Sequence, residues 1–318
     1  TRGGGFAGVE FLAGWLSLTK LNNPSRAMQH FTTLRNNVGL PVSLSRAAYW
    51  QGRAAEAMGN GQEVAYYADA AQHVNTFYGL LAADKLAAGG GQIILPPEPN
   101  VNFERAAFSA DPRVQAARLF AEAGEELFYT QMSFHLDDVL ERPEQLSLLS
   151  EMGRDFGYMK PSVRSAKQAG RLQTMLTESG YPIVPAIEGL DNKFEKAFVY
   201  AIARQESLFD KHAISHAGAR GLMQLMPATA RGQARKLDMP YSRSRLYEPH
   251  YNITLGSHYL SRMINAYDGS YILAIAALHL KESGKLPKDT IVATHMSNFA
   301  LDKLMNENGI DVVRTNVG

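Results

Sequence analysis

Two carboxylates in the second half of the chain, Glu206 and Asp210, are the candidates for acid–base chemistry, and Glu206 is the one whose setting argues for it. It follows Val199 at i+7 and Ile202 at i+4. On a helix turning 100° per residue, those offsets put its carboxylate on the apolar stripe of Phe194, Phe198, Val199 and Ile202. A glutamate so placed is desolvated, which disfavours the ionised form and raises its pKa. A general acid working near neutral pH needs that property. The competing reading is a buried salt bridge to Arg204 or Arg220. Asp210 follows in Ser207-Leu208-Phe209-Asp210, a string that reads as a helix end with the aspartate capping what comes next. Gly218 and Gly221 bracket a tight turn, and Gln224 lies inside the apolar run Leu222 to Met226, where a polar side chain needs a partner.

Other chemistries are excluded or unsupported. The chain has 0 Cys, so thiolate nucleophiles, disulfides, Cys-ligated zinc and iron–sulfur clusters are ruled out. His250, His258, His279 and His295 are dispersed without a ligand spacing, so neither a metal nor a cofactor is expected. The glycine strings at 3–5 and 89–91 lack a P-loop lysine and a following strand–helix pattern. A formal net charge of +1 over 318 residues speaks against a nucleic-acid binder, and no apolar run approaches a membrane span. No signal peptide is read at the Thr1 start, and both ends read as cuts.

The elements that would position these residues are helices. Phe11, Leu12, Trp15, Leu16 and Leu18 recur at helical spacing. Pro24 opens a second helix carrying Ala27, Phe31, Leu34 and Val38, and Pro41 opens a third with Ala47, Trp50, Ala54 and Met58. Segments at 64–71 and 76–86 follow. Trp15 and Trp50 lie 35 residues apart, near the period of helix-turn-helix repeats, with a generic bundle as the alternative. Gly89 to Gly91 and Pro96-Pro97-Glu98-Pro99 make the main break of the first half, with Ile93 to Leu95 no more than a strand stub. Helical pattern resumes from Arg113 through Met152, with further helices expected at 162–168 and 172–179, and Gly180-Tyr181-Pro182 marks a second boundary. Asp191 is the expected N-cap of the helix that carries Glu206.

The string from Ala203 to Ala230 resembles the catalytic core of the soluble lytic murein transglycosylases, a family with a goose-type lysozyme-like domain. It contains Glu206-Ser207, then Ser215, Gly218-Ala219, Gly221-Leu222-Met223-Gln224-Leu225-Met226-Pro227. Glu248-Pro249, Asn252-Ile253, Gly256 and Tyr259-Leu260 are similar to the helix that follows in that family. Tyr49-Trp50, Gly52-Arg53-Ala54 and Thr76-Phe77-Tyr78-Gly79 resemble its superhelical region, so the likeness spans about residues 6 to 277. It implies cleavage of the β-1,4 bond between N-acetylmuramic acid and N-acetylglucosamine in peptidoglycan, leaving a 1,6-anhydromuramyl end. Glu206 would act as acid and then base, and Ser215, Gln224 and Met226, with Met223 beside them, would line the saccharide groove. Met223 and Met226 fit a core role as well. The implied partner is the peptidoglycan glycan strand, and the implied compartment is the periplasm.

The resemblance breaks after Ala276, where the family's Ala-Tyr-Asn-Ala-Gly motif is replaced by Ala277-Leu278-His279-Leu280-Lys281. From about 272 to 318 the chain instead is similar to an internal stretch of bacterial phosphoglucosamine mutases, without their active-site serine, metal or sugar loops. By pattern this tail reads as helix, strand 290–294, helix 298–308 and strand 311–314. The expected fold is therefore mainly α: a helical superhelix over 1–98, a helical linker region over 99–180, an incomplete lysozyme-like domain over 181–277 and a foreign α/β segment over 278–318. The alternatives to a transglycosylase are a catalytically impaired peptidoglycan-binding or scaffold protein and a hydrolytic muramidase.

Overall fold

The computed structural model describes residues 4–87, 95–191, 195–266, 290–294 and 311–315, and the chain divides into two units, Thr1–Pro182 and Ile183–Gly318. The regular elements among the first unit's described residues are all helices: α1 (Gly4–Thr19), α2 (Pro24–Asn36), α3 (Pro41–Met58), α4 (Glu63–Ala71), α5 (Phe77–Ala87), α6 (Asn102–Ala110), α7 (Pro112–Glu122), α8 (Glu126–Val139), α9 (Pro143–Asp155) and α10 (Met159–Arg171). The punctuation is local. Pro24, Pro41, Pro112 and Pro143 each occupy a first turn, where the missing N–H has no intrahelical partner to lose. The Asn23 side chain accepts from Arg26 N, and Gly59, at φ 61°, closes α3 in the left-handed conformation.

Helices adjacent in sequence pack on one another from α1 to α5, and α3 also reaches α1 and α5, which is the pairwise stacking expected of a repeat array. Trp50 lies among rings: its centroid is 6.0 Å from Phe11, 6.0 Å from Phe31, 5.9 Å from Tyr49 and 6.5 Å from Tyr78. A second core, built from α6 to α10, gathers Val114, Tyr129, Leu136, Leu146, Leu149 and Leu176. Two expectations need correction. The continuous pattern from Arg113 to Met152 is three helices, broken at Gly124 (φ 75°) and at Arg142-Pro143. The helix expected at 172–179 does not form: Gln173 turns left-handed (φ 64°) and Thr174 N bonds back to Ala169 O, closing α10.

The second unit contains α11 (Pro185–Glu188), α12 (Lys196–Glu206), α13 (Pro227–Lys236), a short 3-10 turn (Ser244–Tyr247) and α14 (Pro249–Ala266). Two strands close the described chain, β1 (Thr290–Thr294) and β2 (Asp311–Thr315). They pair in parallel, Thr290 opposite Asp311 and Thr294 opposite Thr315, which matches the two strands read from the tail. The mainly α class with a short α/β end therefore holds. Phe194, the glycines at 89–91, the Ile93-Ile94 stub, Leu278, His279, His295 and the tail helices expected at 270–281 and 298–308 lie outside the described residues.

Candidate active site

Helix α12 ends at Glu206, and the chain that follows reverses abruptly. Leu208 and Phe209 both adopt positive φ (52° and 61°), a conformation that side chains beyond glycine avoid. Two residues hold it there. The Ser207 hydroxyl reaches Leu222 O at 2.8 Å and Ala203 O at 3.1 Å, and Asp210 N donates to Ser207 O at 3.1 Å. Asp210 then caps the next turn, its Oδ1 accepting from His212 N at 2.8 Å, in keeping with its expected role.

The desolvated position expected for Glu206 is not what the helix makes. The buried row of α12 is Val199, Ala203 and Ser207, at i, i+4 and i+8, so Ser207 takes the inward position and Glu206, one step of 100° away, is exposed. Asp191 does not cap this helix either: α12 starts at Lys196 with Glu195 at the cap position and no side-chain cap bond. The spacing argument failed by one residue at the helix terminus, where the last turn is free to choose which side chain turns in.

Beyond the reversal, residues 213–225 fold back twice in antiparallel fashion. Arg220 is bridged on one side to Ile214 and on the other to Leu225. Gly221 N donates to Ala213 O (3.0 Å), Ser215 N to Ala219 O (3.0 Å), and Arg220 and Leu225 exchange bonds of 3.1 and 3.0 Å. The first fold-back is the Ser215–Gly218 turn, with Gly218 at φ 89°, and Ser215 Oγ accepts from Ala219 N at 3.0 Å. The second runs from Gly221 (φ 73°) to Gln224 (φ 45°). A Cβ at Gly221 would lie 2.2 Å from Leu246 O, so the position excludes any side chain by space as well as by conformation. The expectation that the two glycines bracket one tight turn is therefore corrected: Gly218 closes the first fold-back, Gly221 opens the second, and Ala219-Arg220 between them belong to the paired segment.

Each residue expected at the groove has a place in this scaffold. Gln224 is half-buried, and its Nε2 donates to Gly221 O (2.9 Å) and Ala213 O (3.2 Å), so the fold-back itself supplies the partner its sequence position called for. Ser215 is half-buried and ties its own turn. Met226, half-buried, stands at the cap position of α13 just before Pro227. Met223 departs from the groove expectation: it is only 5% exposed and packs against α14, where an ideal Cβ at Gly256 would come within 2.3 Å of its sulfur. Sequence reasoning gave no role to Asn252, which is 0% exposed and bonded to three backbone groups of two segments. Its signal was present in the sequence: a lone carboxamide beside Ile253 and Leu255 on an apolar helix must find partners inside.

Three arginine–tyrosine pairs lie in the second unit. Arg220 Nη1 bonds the Tyr247 hydroxyl, Arg231 lies 5.1 Å over the Tyr241 ring and Arg245 lies 4.2 Å over the Tyr251 ring. His258, half-buried on α14, sits 2.9 Å from Gln233 Oε1, and burial lowers its pKa, with the neighbouring cations Arg262 and Lys236 adding to the shift.

Comparison with known proteins assigns this region. Residues 186–281 match the family model of the transglycosylase SLT domain. A putative soluble lytic murein transglycosylase of Haemophilus influenzae is 40% identical over 110 residues, covering 31% of this chain and 18% of the relative. Lytic transglycosylase Slt from Pseudomonas aeruginosa, solved as an inactive glutamate-to-glutamine mutant, superposes with a TM-score of 0.70 at 24% identity, covering 95% of this chain and 48% of that one. The 70 kDa soluble lytic transglycosylase of Escherichia coli gives a TM-score of 0.61 at 19% identity, covering 87% of this chain and 46% of that chain. These two likenesses establish the fold. The chain thus spans about half the length of the solved transglycosylases and less of the curated relative.

The tail has a separate affinity. Residues 268–318 match the phosphoglucomutase/phosphomannomutase α/β/α domain III, overlapping the SLT match between 268 and 281. A phosphoglucosamine mutase of Bdellovibrio bacteriovorus is 63% identical over 51 residues, which is 16% of this chain and 11% of the mutase. Among the described residues no helix is long and apolar enough to cross a membrane.

Proposed function

We propose that this chain cleaves the β-1,4 bond between N-acetylmuramic acid and N-acetylglucosamine in peptidoglycan and leaves a 1,6-anhydromuramyl end. Glu206 protonates the departing glycosidic oxygen and then takes the proton from the muramyl C6 hydroxyl. The observation that carries the reading is the linkage of Glu206 to a backbone fold-back inside a matched SLT domain: its neighbour Ser207 bonds Leu222 O at 2.8 Å, next to Met223-Gln224-Leu225-Met226. Glu206 is exposed before substrate arrives, so the desolvation that a general acid needs comes from the glycan lying over it. Ser215, Gln224 and Met226 border that glycan, and Met223 serves as the packed floor beneath them. A single carboxylate suffices because the nucleophile is the sugar's own C6 hydroxyl. Water-using glycosidases usually need a second carboxylate. The substrate implies work in the periplasm.

A second reading, a glycan-binding protein without turnover, is favoured by one feature. Leu278 stands where the resembling family carries a tyrosine, and it cannot donate a hydrogen bond. Loss of one positioned donor in a transition-state site commonly costs about 10²–10³ in rate. The test is mass spectrometry of purified peptidoglycan after incubation with the chain and with Glu206→Gln. Anhydromuropeptides from the first and none from the second are expected. Products reducible by borohydride would mean hydrolysis, a muramidase. Glycan binding with no product from a folded chain would establish the second reading instead.

A further inference from the structure

Asn252 stands one turn before Gly256 on α14, so both face the same partner. That partner is the Gly221–Gln224 turn. The carboxamide Oδ1 accepts from Met223 N at 2.9 Å, and Nδ2 donates to Arg220 O at 2.9 Å and to Leu246 O at 2.8 Å. Gly256 leaves the space that the Met223 side chain fills, and Gly221 leaves the space that the Asn252 amide fills, an ideal Cβ there lying 2.4 Å from Nδ2. On the opposite side the same turn is held by Ser207 at the end of α12, through Leu222 O. Two consecutive residues of the turn, Leu222 and Met223, are therefore gripped from two different helices, and one grip belongs to the residue next to Glu206.

The grip matters because the turn is not a conformation its residues choose. Gly221 and Gln224 both have positive φ (73° and 45°), and for glutamine that region is disfavoured without outside support. The side chain that provides the support must accept once and donate twice in a neutral, fully buried setting. Asparagine does so, aspartate lacks the donors, and leucine of similar shape has neither.

We infer that Asn252 is a positioning residue for the saccharide groove, fixing the Gly221–Gln224 turn against the end of α12 and so holding Gln224 and Met226 in register with Glu206. The functional half of this inference rests on the glycan reading above. The structural half stands on the hydrogen bonds alone.

The test uses the full chain and three variants, Asn252→Asp, Asn252→Leu and Ser207→Ala. Amide exchange at Met223 is followed without ligand, and a tetramer of N-acetylglucosamine is titrated by calorimetry. Asn252→Leu is expected to raise exchange at Met223 at least tenfold and to weaken the tetramer by a similar factor. Asn252→Asp keeps the acceptor for Met223 N but turns a carboxylate toward two carbonyls. Its affinity is expected to fall at about pH 8 and to recover toward that of the unmodified chain at about pH 5, where a buried carboxyl holds its proton and can donate again. Ser207→Ala loosens the turn from the other side and keeps the test open if Asn252→Leu does not fold. A purely structural role predicts lower thermal stability with unchanged affinity and no pH recovery, and that result overturns the inference. Unchanged exchange at Met223 in folded Asn252→Leu also overturns it. If the unmodified chain does not bind the tetramer while Met223 exchange responds as expected, the glycan reading is what fails, and the groove role falls with it.

Discussion

Asp137 offers the sharpest quantitative test of the packing described above. It lies on α8, 1% exposed, with Ser165 Oγ donating to Oδ1 at 2.6 Å and Arg164 Nη1 at 3.2 Å from Oδ2, both from α10. Burial dominates over those two favourable contacts, and with Asp138 adding like charge the carboxyl is pushed up from 3.8 to about 6. The folded chain therefore keeps this proton to higher pH than the unfolded chain does. Stability from this group is fullest below pH 3.8, declines as pH rises to about 6, and stays lower beyond. At 1.36 kcal/mol per pH unit, the change amounts to about 3 kcal/mol. The carboxamide of the Asp137→Asn variant does not titrate and can still accept from Ser165, while losing the attraction of a half-exposed Arg164, worth about 1 kcal/mol at most. Because the shift to about 6 already includes that attraction, Asp137→Asn should be more stable than the unmodified chain by about 3 kcal/mol at neutral pH and no more stable near pH 4. Hydrogen exchange of amides in α8 to α10, measured in the full chain at both pH values, reads this locally. A variant destabilised equally at both would show that the ionised pair with Arg164 is net favourable, and the burial argument would be wrong.

Other expectations are simpler. Gly221→Ala meets Leu246 O at 2.2 Å and must hold φ 73°, so a loss of about 3 kcal/mol or more is expected in thermal melts, with glycan affinity falling alongside. Phe31→Ala removes a 0% exposed ring set 6.4 Å from Phe11 and 6.0 Å from Trp50, which should cost about 3–5 kcal/mol by denaturant titration of the full chain. Glu206→Gln should abolish anhydromuropeptide release while changing stability in thermal melts by no more than about 0.5 kcal/mol, because an exposed side chain contributes little.

The helices were legible because their punctuation is local. Proline at a first turn acts within a few residues, so the starts at Pro24 and Pro41 could be read directly. The fold-back beside the candidate site could be anticipated from its glycines, and the exposure of Glu206 could not. Helical phase put Glu206 inward, but the last turn of α12 buries Ser207 instead, through a bond to Leu222 that is 15 residues away in sequence. Spacing carries no information about such a bond. Gln224 shows the same limit: its need for a partner could be read, but the partner proved to be the backbone of Ala213 and Gly221. The helix expected at 172–179 failed because Gln173 adopts a positive φ that its residue type gives no hint of.

The tail is the place where sequence similarity and local structure must be argued separately. Thr290–Thr294 and Asp311–Thr315 pair in parallel with a constant offset of 21 residues, and a parallel pair needs a crossover of a dozen residues or more. The match to the mutase covers 51 residues, 11% of the mutase's length, and an activity that draws on several loops of a larger protein does not travel with one such piece. The same reasoning applies with opposite sign to the SLT domain. Its candidate acid, its fold-back and the Asn252 grip all lie between 206 and 252, inside the matched stretch and ahead of the overlap at 268. Turnover measured with Glu206 present, against glycan affinity measured alongside it, therefore tests whether the candidate groove cleaves a glycan or only binds it.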